Sequence, residues 1–338
     1  MNIYDIAEKA GVSIATISRV MNGSGKVSAA TRERVLKIIE EENYTPNIFA
    51  QGLGQGTART VGILVPDIDN LYMSSALSCL ENALTQAGYL CILGSTTYAQ
   101  DAKEAHVRMM LDKKVAALIL VGSTYAGAGR SLDETDYIRE AAKTVPLFLI
   151  NGQVQGDHVY CAICDDRSAA GEVTAGLLNN GRRRILFLSD SHSYSALEKR
   201  AGFEAAHEVL SLSPDPALDL HIHNNIEETR AKLRALFPPE KGQVFDAVFA
   251  VEDGLAIGAL KYAQDAGIRV PEEMEIVGYN DSRLTAACTP ELTSVDGRSH
   301  DLCRVTVDHL VQVLDGETDV PALTVLPGSL VRRGTTQN

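Results

Sequence analysis

The sequence predicts a small all-α helix-turn-helix head followed by a larger α/β core of parallel sheets flanked by helices. Three features carry that expectation. Gly11 separates two short amphipathic segments, where a tight inter-helix turn needs positive φ. From residue 60 onward, short β-branched runs replace the helical period. Gly88, Gly181 and Gly267 then each follow a helical stretch and precede the next strand, the punctuation of a repeating βα pattern. At 338 residues the chain exceeds one ordinary domain and can bury a sizeable core.

In the head, helices are expected over residues 4–10, 14–22 and 29–43. Ser13 and Ser28 are placed to cap the second and third, because a serine oxygen can accept one of the first unpaired helix amides. The small Ala7 lets the first two helices cross closely, and Ile6, Ala10, Val12, Ile17 and Val20 supply a miniature core. Pro46 closes the unit by pushing Thr45 out of the helical region. Such spacing lays the second helix in the DNA major groove, with its N-terminal side chains toward base edges. Arg19 is expected to bridge a guanine edge with two hydrogen bonds, and Ile14 and Ala15 to meet thymine methyls. Ser13, Thr16, Ser18 and Asn22 suit phosphates or nearby bases, and Tyr4 and Lys26 complete the expected DNA-facing set.

In the core, strands are expected over 61–65, 90–93, 115–121, 147–150, 185–188, 247–250 and 275–279, with helices over 74–86, 169–179, 196–210 and 255–266. Alternation of this kind makes parallel sheets with helices on both faces. Ligands of such sheets bind beyond the carboxyl ends of the strands.

Charge supports the division. The chain carries −13 overall, yet residues 1–59 carry +1, leaving −14 on the remainder. An acidic core repels phosphates that the head attracts, which favours one orientation on DNA, and so mildly basic a head implies that two act together. No secretory signal and no apolar run near 18 residues is seen, so a cytoplasmic, non-membrane protein is expected.

Catalytic and cofactor chemistry finds no footing. Gly52-Leu-Gly-Gln-Gly56 precedes the first strand instead of following it, so it is no dinucleotide loop, and no P-loop, H-E-x-x-H or G-x-S-x-G occurs. Cys161 and Cys164 fall three apart on a strand, pointing to opposite faces, which favours packing over metal or redox work. His221 and His223 would share a strand face, more consistent with a solvated edge than a metal site. Neither an enzyme nor a resident cofactor is expected.

The head, I-Y-D-I-A-E-K-A-G-V-S-I-A-T-I-S-R-V-M-N-G with N-Y-T-P-N-I-F-A-Q-G-L beyond it, resembles the lactose-repressor/galactose-repressor family of bacterial transcription regulators. So do V-G-I-L-V-P-D-I-D-N, K-R-A-G-F, E-D-G-L-A-I-G-A-L, G-I-R-V-P, V-G-Y-N-D and T-P-E-L-T-S-V, in that order along the chain. The resemblance implies a two-lobed, periplasmic-binding-protein-like core, which composition alone does not reveal. It divides the chain into a head (1–46), a hinge (47–59) and a ligand-binding and dimerisation core (60–338), whose first lobe takes 60–155 and 291–318 and whose second takes 156–290 and 319–338.

The resemblance further implies a homodimeric repressor of pseudo-palindromic double-stranded operator DNA, responsive to a small-molecule effector, with a sugar or sugar derivative as the expected class. A dimer is expected because the chain stops after the last common motif, without a tetramerising heptad helix. Asn47, Ala50 and Leu53 of the hinge are expected to reach DNA, with Leu53 wedged into the minor groove and the hinge helical only when bound. The expected effector contacts are Asn70, Tyr72, Met73, Asp165, Lys199, Glu252, Asp253 and Asn280. Several depart from the common pattern: Leu71 stands where proline is usual and Met73 where an aromatic is. Lys199 replaces arginine, and Asn280 replaces a carboxylate. Two alternatives stay open: control by a phosphorylated carrier protein, and a solute-binding protein, which would need a leader and no head.

Overall fold

A computed structural model of the chain describes residues 3–21, 26–42, 59–127 and 133–337, in two compact units, 1–59 and 60–338. Asn22, Asn47, Ala50 and Leu53, and with them the expected hinge helix, lie outside the described residues.

The first unit holds α1 (Ile3–Ala10), α2 (Ile14–Met21) and α3 (Ala29–Glu41). Gly11 takes φ +64° between α1 and α2, and the turn closes with Val12 N donating to Ala7 O at 3.0 Å. Ser13 accepts from Thr16 N and Ser28 from Thr31 N, each at 3.3 Å, so both expected caps form. Ile6, Ala7, Ala10, Ile17, Val20 and Val35 make the core. Lys9 pairs with Glu42 and ties α1 to the end of α3. So few buried side chains stabilise a unit only marginally, at roughly 1.5–3 kcal/mol each before ordering costs.

The second unit contains two six-stranded sheets. The first runs, in spatial order, β2 (Leu90–Ser95), β1 (Thr60–Val65), β3 (Ala117–Val121), β4 (Leu147–Ile150), β5 (Val159–Cys164) and β11 (Leu323–Leu326), all parallel. The second runs β7 (Asp219–His221), β6 (Ile185–Ser189), β8 (Ala247–Ala250), β9 (Glu275–Tyr279), β10 (Thr293–Asp296) and β12 (Ser329–Val331), with only β12 antiparallel. Helices α4 (Leu71–Gln86), α5 (Gln100–Asp112), α6 (Asp136–Ala142) and α11 (Ser299–Leu314) serve the first sheet, whose two faces carry separate cores. Helices α7 (Asp166–Asn179), α8 (Tyr194–Val209), α9 (Ile226–Leu236) and α10 (Asp253–Asp265) serve the second. Gly88, Gly181 and Gly267 take φ of +81°, +89° and +69°, the left-handed exits that bare backbone permits.

The places where the chain changes lobe differ from expectation. The first crossing follows β5, at Cys164–Asp166, and not residue 155, because Val159–Cys164 pairs with β4. The second follows β10, near Gly297, because residues 293–295 pair with β9. The third falls between β11 and β12, not at 319. Each strand before a crossing still pairs within the sheet that the chain is leaving. Cys161 and Cys164 pack into the cores on opposite faces of the first sheet, and β7 ends at His221, so His223 lies past the strand.

Candidate functional site

In the first unit the exposed residues of the second helix and its cap are Ser13, Ile14, Ala15 and Arg19, while Thr16 and Ser18 are half-buried. Ile17 and Val20 face inward and fix which way the others point. The Ser13 and Thr16 hydroxyls lie 3.0 Å apart, so the cap holds both short donors at the N-terminal end of α2. Tyr4 and Lys26 are exposed, Tyr4 by 67%. An exposed helix face carrying short hydroxyls and small apolar groups at its N-terminal end and one arginine in its last turn is chemically fitted to a major groove.

In the second unit, polar side chains converge where strand ends of the two sheets meet. Lys199 on α8 is only 3% exposed; its Nζ donates to Val251 O at 3.1 Å and lies 3.6 Å from the Tyr279 ring centroid. Tyr279 Oη donates to Asp166 Oδ1 at 2.7 Å and lies 3.9 Å from Cys164 Sγ. Asn280, at φ +91°, donates from Nδ2 to Glu252 Oε2 at 2.9 Å. Asparagine tolerates that backbone better than most side chains. The residue that departs from the family's carboxylate thus orients a carboxylate supplied by its neighbour.

Asp190 follows β6, and its charge and that of Glu252 act on each other beside Lys199. Burial is the main cause pushing the Glu252 carboxyl up to about 8, reinforced by Asp190 and opposed by Lys199 and Asn280. Asp190 is raised for the same first reason and opposed by Lys199. Tyr72 enters from the other lobe: burial lifts its phenol well above the usual range, and Cys303, Asp166, Cys164 and Glu252 add to that. Among the described residues, Tyr72 Oη, Asp166 Oδ2 and Ser189 Oγ are buried without a hydrogen-bond partner. Tyr72 and Asp166 lie close enough for their charges to act on each other, and unmet polar atoms so placed cost stability unless something completes them.

The two lobes touch beside this cluster. Ser123 Oγ donates to Ser193 Oγ at 2.9 Å, and Tyr194 Oη donates to Gln153 Oε1 at 3.1 Å.

The remaining expected contacts have structural work. Asn70 caps α4, accepting from Met73 N, and Asp165 caps α7, accepting from Ser168 N, each at 3.1 Å. Met73 belongs to the first-lobe core. Asp253 is buried with both oxygens engaged, one by Ser294 Oγ and one by Ser282 N, each at 2.6 Å. Tyr72, Lys199, Glu252 and Asn280 come together; Asp190, Asp166 and Tyr279 were missed. Considering every strand's carboxyl end, and not only the motif positions, would have found them. Among the described residues no group of three His, Cys, Asp or Glu could hold a metal ion.

A pH dependence follows. A carboxyl whose folded pKa is raised holds its proton after the unfolded chain has lost it, so stability is full below the unfolded value of 4.5 and falls as pH rises through about 8. Asp253 adds a similar loss that ends near its own value of about 6. Urea midpoints of unliganded protein should therefore decline from about pH 6.5 to about pH 8.5, and Glu252→Gln should flatten that slope. An unchanged slope in the variant would exclude Glu252 as the group responsible.

A helix-turn-helix head joined in sequence to a two-sheet core with polar groups gathered between its lobes defines a ligand-responsive DNA-binding regulator. Residues 2–47 match the family described as bacterial regulatory proteins, lacI family, and residues 174–336 match a periplasmic binding protein-like domain. An HTH-type transcriptional regulator of Lachnoclostridium phytofermentans is 41% identical over 336 residues, 99% of each chain. Catabolite control protein A of Staphylococcus aureus is 32% identical over 337 residues, 100% of this chain and 99% of that one. The chain belongs to the lacI family of bacterial transcription regulators.

Solved structures agree with this assignment. The lac repressor dimer bound to operator and the anti-inducer ONPF superposes with a TM-score of 0.87 at 25% identity, over 100% of this chain and 99% of that one. The complex of the transcriptional regulator CelR with cellobiose gives 0.71 at 26%, over 99% of each. No helix among the described residues is long and apolar enough to cross a membrane.

Proposed function

We propose that this regulator is a cytoplasmic homodimeric repressor of a pseudo-palindromic operator, and that a sugar or sugar derivative held between its lobes alters operator affinity. Arg19, Ile14 and Ala15 read bases, while Ser13, Thr16, Ser18, Tyr4 and Lys26 hold the backbone or neighbouring bases. Tyr72, Lys199, Glu252 and Asn280 contact the ligand, joined by Asp190; Asn70, Asp165, Met73 and Asp253 shape the walls. The carrying observation is the pair of unmet polar atoms, Tyr72 Oη and Asp166 Oδ2, beside the Glu252 carboxyl, which suits ligand hydroxyls. The relatives solved with an operator and with cellobiose support the same reading.

A thermal-shift screen of sugars against the full chain should find a ligand that raises the melting temperature by mass action. Tyr72→Phe should leave the unliganded protein as stable or more stable, since it deletes an unmet hydroxyl. It should weaken the screened ligand by about 1–2 kcal/mol, the cost of one lost buried hydrogen bond. Unchanged affinity would remove Tyr72 from the site. Similarity to catabolite control protein A favours a second reading, control by a phosphorylated carrier protein. That reading gains if purified phosphocarrier, and no sugar, changes operator binding.

A further inference from the structure

Helices α4 and α11 pack side by side along the first lobe, both starting at the carboxyl edge of its sheet, and each carries one cysteine on the shared seam. Cys79 Sγ donates to His300 O and Cys303 Sγ donates to Ala76 O, each at 3.7 Å, so each thiol reaches the partner helix's backbone. When Cys79 is ionised, the neighbouring Cys303 thiol can turn to donate to its sulfur. Ser75 Oγ lies 3.4 Å from His300 Nε2 at the mouth of this contact. Cys303 is fully buried and Cys79 half-buried, so solvent meets Cys79 first. Neither cysteine is among the proposed ligand or DNA contacts, although Cys303 lies close enough to Tyr72 to act on its phenol, and the inference does not rest on the proposed effector.

We propose that Cys79 and Cys303 are a reversible oxidation site at which a peroxide staples α4 to α11 through an intrachain disulfide. The Cys79 thiolate attacks one peroxide oxygen and the O–O bond breaks. The leaving hydroxide takes a proton to become water, and Cys79 becomes a sulfenic acid. The Cys303 thiol then attacks that sulfur and gives up its proton; the S–S bond forms and the second water leaves. Two thiols and one peroxide yield one disulfide and two waters, and an external dithiol reverses the bond by exchange.

The environment divides the roles. The Cys303 hydrogen bond is the main cause holding the Cys79 thiol down at about 6, with the His300 and Arg304 charges assisting against burial. Cys303 is pushed up, first by its hydrogen bond to Cys79 and then by burial, and so waits as the protonated resolving thiol. Burial raises the other four, Cys91 to about 11, Cys164 to about 12, and Cys161 and Cys288 in the same direction, which makes attack at Cys79 selective. The staple lies within about two to three helical turns of Tyr72 on α4 and within two of the lobe crossing at Gly297.

Full-length protein is treated with hydrogen peroxide, blocked with N-ethylmaleimide under denaturing conditions and digested with trypsin. The expected product joins the peptide 60–103, which holds Cys79, to 299–304, which holds Cys303, and dithiothreitol dissolves it. Cys91 shares the first peptide, so the link must survive Cys91→Ser and vanish in Cys79→Ser. Cys303 recovered fully alkylated while Cys79 is oxidised would overturn the proposal. So would a Cys79 disulfide between two chains, or a link that persists in Cys79→Ser. Circular dichroism of each variant before oxidation shows that it is folded, so a missing link reports chemistry.

Discussion

Replacing Gly202 with alanine is expected to cost more than about 3 kcal/mol of stability, because the added methyl has nowhere to go. A Cβ at this position would stand 2.1 Å from Arg167 O and 3.0 Å from Gly171 N, both backbone atoms of the facing helix α7. No rotamer relieves that clash; α7 and α8 must move apart. Lys199 sits on α8 one turn before Gly202, so the separation also shifts its amine from Val251 O and the Tyr279 ring. Urea denaturation followed by circular dichroism gives the cost from the midpoint shift. A change below about 1 kcal/mol would mean the helices are less tightly apposed than described.

The second large effect is expected from Arg182→Ala. Its guanidinium donates to the carbonyls of Pro271 at 2.7 Å and of Glu272 and Glu273, each at 3.2 Å. It also lies 3.4 Å from Glu275 Oε1, a carboxylate with no exposed surface, whose other support is Asn180 Nδ2 at 3.1 and 3.2 Å. Removing the arginine leaves three carbonyls and a buried charge short of a donor, a change worth about 3–5 kcal/mol. The pair itself need not be strongly stabilising, since two charges were desolvated to make it. Arg182→Met with Glu275→Leu should therefore recover part of the loss, and a double-mutant cycle measures how much. Strictly additive effects would show that the two residues act independently.

The parts of the fold legible in sequence were those with a local signature. The left-handed exits at Gly88, Gly181 and Gly267 and the caps at Ser13 and Ser28 announced themselves, as did the apolar strands β4, β8 and β9. What escaped lacks such marks. β7 and β12 have three residues each, and β11 is exposed or half-exposed along its length, so no apolar run points to it. α5 buries Lys103 with Val107 and Met110, and a lysine on an inward face hides the helical stripe. Its amine is met by Thr124 O at 2.7 Å, a partner that only the folded chain reveals. The lobe crossings that the resemblance implies fall early because strand pairing, not local composition, sets them: β5, β10 and β11 each still belong to the sheet that the chain is leaving.

The ligand cluster divides in the same way. Lys199, Glu252 and Asn280 lie in recognisable motifs. Asp190, Asp166 and Tyr279 are single residues whose meaning comes from sheet order. Asp253 and Met73 look from sequence like contacts, but hydrogen bonding and burial commit them to the walls. At Asn280 the resemblance marks a carboxylate that this chain lacks; that the Glu252 carboxyl lies beside it needed coordinates.

The central claim is that two heads read a symmetric DNA site through the exposed face of α2. Selection of bound duplexes from a random pool by the full-length protein tests it most directly, repeated with Arg19→Ala. The expected result is an inverted-repeat consensus for the unmodified protein. The variant should lose preference at one symmetric pair of positions, worth about 1–3 kcal/mol each, with its other preferences kept. A consensus without two-fold symmetry, or an Arg19→Ala variant weakened equally on every sequence, would contradict the account.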